Sequence, residues 1–129
     1  MDAFVQPLYE LADFDAIIRQ LKKPGIVQVS GCLDSQKAHF TNGLLREFPF
    51  RLIVAENDLK AKAFYEDFRL YDPEVLYYPA RDLIFYQADI HGNLLTRQRI
   101  QVLRALLERE EVTIVTSIDS CLDCLVPLD

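Results

Sequence analysis

The chain has 129 residues, half of them hydrophobic, and a formal net charge of −6. That length fits one domain with room for a buried core, and the composition is globular rather than disordered. The acidic balance weighs against a free-standing nucleic-acid binder, whose phosphate contacts need a basic face, and no apolar run approaches the ~18 residues of a membrane span. The first residues, Met1-Asp2-Ala3-Phe4, lack the basic and apolar segments of a secretory signal, which predicts a cytoplasmic protein with reduced thiols.

In chain order, Leu11, Phe14, Ile18 and Leu21 recur at helical spacing, with Asp13 as N-cap and Pro24-Gly25 as the stop. This predicts an amphipathic helix, the leading element of residues 1–24. Residues 26–30, Ile-Val-Gln-Val-Ser, read as a short strand, followed by a turn and a helix over 39–47 that carries Phe40, Leu44, Leu45 and Phe48. Gly43 inside that helix costs about 1 kcal/mol relative to alanine, so close packing is its expected reason. Residues 51–55 read as a second strand, apolar enough for burial on both faces. Asn57 or Asp58 then caps a helix over 59–71, with Leu59, Ala63, Phe64, Phe68 and Tyr71 on its apolar side. A third strand falls at 75–78 and an irregular loop at 79–92. A helix capped by Asn93 runs over 94–110 with Leu95, Val102, Leu103 and Leu106 inward, and a fourth strand covers 112–116. Asp119 or Ser120 caps a last short helix that Pro127 ends. Strands alternating with helices predict an α/β fold, a parallel sheet with helices on both faces.

The stretch richest in chemical implication is 31–38, Gly-Cys-Leu-Asp-Ser-Gln-Lys-Ala. A phosphate-binding P-loop reads Gly, four residues, then Gly-Lys-Ser/Thr, between a strand and a helix. Gly31 and Lys37 stand at the first glycine and the lysine. Gln36 replaces the second glycine, whose missing Cβ lets backbone N–H groups wrap around phosphate oxygens. Ala38 replaces the hydroxyl residue that ligates Mg²⁺ and has no oxygen to offer. The loop therefore reads as a degenerate nucleotide-binding loop, the alternative being an ordinary strand-to-helix turn. A surviving ATP site, in which Lys37 still neutralises a phosphate at a helix N-terminus, is the enzyme-class alternative.

Other candidates are weaker. Cys121-x-x-Cys124 lacks two further zinc ligands, with only Cys32, His39 and His91 left to supply them, and its spacing suits two small buried residues on one helix face. His91 reads as a hydrogen-bonded loop residue. Glu56 or Asp58 follows a strand where a ribose-binding acid would sit, but the Gly-x-Gly-x-x-Gly of a dinucleotide site is missing. Arg97, Arg99 and Arg104 share a helix that would meet DNA only within a larger assembly.

Three blocks, taken in order, resemble the N-terminal region of bacterial transcription-repair coupling factors, which is itself similar to the nucleotide-binding domain of the excinuclease B subunit. They are the loop from Val29 to His39, the segment from Ile53 to Phe68, and Tyr78-Pro79-Ala80-Arg81-Asp82-Leu83-Ile84-Phe85-Tyr86 through Arg97-Gln98-Arg99 with Thr113-Ile114-Val115-Thr116-Ser117 beyond. The resemblance spans about residues 25–128. It implies a partial RecA-like, P-loop domain over 25–129, in a parent protein that translocates on DNA with ATP and Mg²⁺, displaces stalled RNA polymerase and recruits the excinuclease A subunit. The stretch 79–92 is too short for the tyrosine-rich hairpin of the excinuclease, which favours the coupling factor. An apolar strand ending in a Mg²⁺-binding acidic pair is missing, so the resemblance implies a non-catalytic N-terminal fragment. It would bind no cofactor or metal of its own and pack against following domains.

Overall fold

In the computed structural model the described residues are 2–80 and 89–122. The chain forms two compact units, Met1–Phe48 and Pro49–Asp129.

The first unit is helical among its described residues. Two short 3-10 helices, Asp2–Phe4 and Gln6–Glu10, precede α1 (Phe14–Leu21), and α2 spans Asp34–Leu45. Pro7 in the first turn of the second 3-10 helix has a fixed φ that suits a helix start and lacks an N–H that would be orphaned there anyway. Phe14 and Ile18, one turn apart on α1, join Val5 and Leu8 in a core against which Phe40 and Leu44 of α2 pack. The Phe14 ring meets Tyr9 and Phe40 edge-on, at centroid distances of 5.1 and 5.6 Å, the geometry that the quadrupoles of aromatic rings favour. Leu11, expected on the apolar face of α1, precedes the helix and is 51% exposed, and the Asp13 side chain makes no capping bond.

Gly43 is explained by contact. A Cβ there would lie 2.4 Å from a methyl of Leu8 and 3.0 Å from the tip of the Phe14 ring. Both neighbours belong to the buried core, so the glycine's helix-propensity cost is offset by the close approach it allows.

The expected strand at 26–30 is a correction. These residues adopt no regular secondary structure, and Ile26 is 98% exposed. A strand needs a neighbour to receive its backbone hydrogen bonds, and the described residues of this unit contain no other strand. The helix after the loop also starts earlier than expected, at Asp34 rather than His39.

The second unit holds a three-stranded parallel sheet: β1 (Phe50–Ala55), β2 (Leu76–Tyr78) and β3 (Val112–Ser117). The spatial order is β1-β3-β2, with Phe50 opposite Val112, Ala55 opposite Ser117, and Leu76 opposite Ile114. The helix α3 (Asp58–Phe68) connects β1 to β2, α4 (Asp89–Glu108) connects β2 to β3, and the short α5 (Ile118–Cys121) follows. Tyr65 of α3 packs against Tyr77, whereas Val102 and Ala105 of α4 pack against Tyr78, Val112 and Ile114. Adjacent residues of a strand face opposite ways, so the two helices lie on opposite faces. The topology requires this. The chain steps from β1 across to β2 and then back to β3, and two crossovers of the same hand running in opposite directions put their helices on opposite faces. The α/β class with a parallel sheet and helices on both faces is thus present, with three strands among the described residues rather than the four expected.

Burial separates the strands. All six residues of β3 are buried, as a central parallel strand requires. β1 alternates instead, with Phe50, Leu52 and Val54 exposed at 58%, 62% and 46%, which corrects the expectation of burial on both faces. Its inner row includes Arg51, whose Nη1 donates to Thr113 Oγ1 at 3.3 Å. Thr113 Oγ1 in turn donates to Asp72 Oδ2 at 2.8 Å, and Arg51 lies 3.7 Å from the same carboxylate. This polar knot ties β1, β3 and the turn after α3 together.

Several helix details differ from expectation. Asn57 caps α3 through its Oδ1, which accepts from Lys60 N at 2.9 Å, but Leu59 at its start is 81% exposed and the buried face is Ala61 and Phe68. α4 begins at Asp89, so Asn93 lies within it rather than capping it, and Leu106 is 42% exposed. α5 is capped by Ser117, whose Oγ accepts from Ser120 N, rather than by Asp119 or Ser120. Cys121 is exposed, against the reading of buried thiols, while Cys124 and Pro127 lie outside the described residues, as does 81–88 of the expected loop.

Candidate functional site

The loop 31–38 lies in the first unit, at the start of α2. Gly31 has φ +91°, a conformation that glycine adopts without the clash a Cβ would bring, and no atom lies within 4 Å of where that Cβ would be. The glycine is there for the turn rather than for close approach of a neighbour. No strand precedes it, so the strand-loop-helix frame of a P-loop is present only in its second half.

The remaining loop residues engage one another. Asp34 is in the first turn of α2, where a carboxylate suits the positive end of the helix dipole. Its Oδ1 accepts from Lys37 Nζ at 2.5 Å, one turn on. Gln36 Oε1 accepts the backbone N–H of Leu33 at 3.3 Å, half of a capping box; the other half is absent because a leucine side chain offers no acceptor. Ala38 is 2% exposed, so the position that would carry a Mg²⁺-binding hydroxyl faces packing rather than solvent. The ring of His39 hydrogen-bonds through Nε2 to the carbonyl of Phe4, tying α2 to the N-terminal 3-10 turn.

Tested against a Mg-nucleotide, these residues fit poorly. A phosphate at Lys37 would compete with Asp34, which sits at the same ammonium. The Leu33 N–H, one of the donors a cradle needs, already has an acceptor in Gln36. No oxygen is available at residue 38. The Lys37–Asp34 pair is itself weak, because the lysine side chain is 52% exposed and the carboxylate 96%, and exposed pairs contribute at most about 1 kcal/mol. Asp34 was not singled out from the sequence, although its three-residue spacing to Lys37 is the helical ion-pair spacing and was readable as such.

The carboxyl ends of the parallel strands, where ligands of open α/β sheets usually bind, lie in the second unit. Both acids proposed there have partners. Glu56 is ion-paired with Lys60; the Lys60 hydrogen bond first, and its charge second, hold this carboxyl below its ordinary value. Asp58 Oδ1 accepts from Ala80 N at 3.2 Å and so fastens the start of α3 to the end of β2. The hydroxyl of Tyr77 is enclosed without a hydrogen bond of normal geometry. Burial, and after it the nearby Asp58 carboxylate, raise its pKa above the ordinary 10.0.

The three arginines of α4 do not form a stripe. Arg99 is buried, with Nη1 donating to Pro79 O at 2.9 Å and its guanidinium 4.3 Å over the Tyr78 ring, a cation–π contact. Arg104 pairs with Glu108 at 2.8 Å, and Arg97 is exposed. Among the described residues no group of three His, Cys, Asp or Glu would hold a metal ion, and no helix is long and apolar enough to cross a membrane. Fold and geometry thus define an α/β protein with a small parallel sheet. Comparison with protein-family models, with curated proteins and with solved structures gives no match.

Proposed function

We propose that this chain is a non-catalytic scaffold of the transcription-repair coupling factor kind, carrying a nucleotide-binding loop that has lost its chemistry. The observation that supports this reading most directly is the self-engagement of the loop: Lys37 with Asp34, Gln36 with the Leu33 N–H, and Ala38 buried. In this reading the domain is of the P-loop, RecA-like type and works in the cytoplasm. The parent protein binds DNA and ATP with Mg²⁺, acts on stalled RNA polymerase and recruits the excinuclease A subunit. This chain contributes none of those activities alone and supports neighbouring domains by packing.

A thermal-shift titration tests it. Mg-ATP is expected to leave the melting temperature of the purified chain unchanged, and Lys37→Ala is expected to behave like the parent. Bound ligand stabilises by RT ln(1 + [L]/Kd), so a site filled at 100 times its Kd would add about 2.7 kcal/mol and be plain in the melt. Stabilisation by Mg-ATP that Lys37→Ala abolishes would overturn the scaffold reading in favour of the alternative, a working ATP-binding segment of an excinuclease-B-like helicase.

A further inference from the structure

We draw no further inference here: the strongest candidate, the apolar row of Phe50, Leu52 and Val54 along the edge strand β1, is an unpartnered sheet face, and nothing in the structure shows what covers it.

Discussion

Two stretches of this chain look alike as sequence and end up unlike as structure. Residues 26–30 read Ile-Val-Gln-Val-Ser, and β3 opens Val-Thr-Ile-Val-Thr. Both are rich in β-branched residues, and both lead into a helix, α2 after a short loop and α5 directly. β3 is the central strand of a sheet, flanked on both sides and buried along its length, whereas 26–30 has no regular structure and exposes Ile26 almost fully. The lesson is that β propensity describes fitness for a half-buried, hydrogen-bonded surface and cannot create one. β3 pairs with β1 along all six of its residues and with β2 over Ile114–Thr116. The backbone groups of 26–30 have no other strand among the described residues of their own unit to pair with.

The most drastic test of this contrast is a matched pair of charge insertions. Val115→Asp places a carboxylate at a position with no solvent exposure, at a cost of several kcal/mol, enough to abolish cooperative unfolding of the second unit by circular dichroism. Val29→Asp, at a residue 40% exposed, is expected to change stability by no more than about 0.5 kcal/mol. Equal damage from both would mean that 26–30 is a buried strand in solution.

Gly43→Ala ranks next and probes the first unit alone. Helix propensity would favour the alanine by about 1 kcal/mol, but the added methyl collides with Leu8 and Phe14, and overpacking of a closed core costs about 1–3 kcal/mol. We expect net destabilisation in urea melts, with hydrogen-exchange protection falling first in α1 and α2; a rise in stability would mean that this core yields easily. Thr113→Val keeps the shape of the residue and removes the hydroxyl that links Arg51 to Asp72. The groups left behind are partly buried, so a loss of about 1–3 kcal/mol is expected in chemical denaturation. Loss of Thr113 without effect would show that Arg51 and Asp72 hold the knot by themselves.

The smallest expected effect concerns pH. Tyr77 titrates above its ordinary value in the folded chain, so its contribution to stability is complete below pH 10.0 and declines as pH rises beyond it, where the unfolded chain ionises first. Tyr77→Phe should therefore flatten the alkaline loss of stability relative to the parent and leave the neutral value nearly unchanged. Parallel curves for the two proteins would rule out this linkage.

Legibility in the sequence follows the same physics. The position of β3, a cap at Asn57 or Asp58 and the packing reason for Gly43 are readable because each rests on a local pattern: a short apolar run, an Asx residue before a helix, a glycine where propensity disfavours it. The α/β class was readable because alternation of elements is a property of order along the chain. What escaped was whatever depends on neighbours distant in sequence. Nothing in Ile-Val-Gln-Val-Ser announces the lack of a partner, and nothing in β1 announces that helices cover only one of its rows. The start of α4 was misplaced because Gly92 and Asn93 imitate a helix boundary, yet both lie inside the helix. At the loop, the two departures from the P-loop pattern are plain from the letters, and the spacing of Lys37 to Asp34 is legible too once the helix is started at Asp34 rather than His39.

The position of β3 also sets an order of events during synthesis. Among the described strands β1 and β2 are not paired with one another; each pairs with β3, which follows Arg51 by 62 residues at the Arg51–Thr113 contact. A ribosome adding about 5–20 residues per second needs roughly 3–12 seconds to cover that interval. For most of it β1 is finished, and from Tyr78 onward β2 is too, but neither has its template, and Leu52, Ile53 and Val54 are left to water or to a chaperone. The sheet closes in one late step, when the middle strand arrives last.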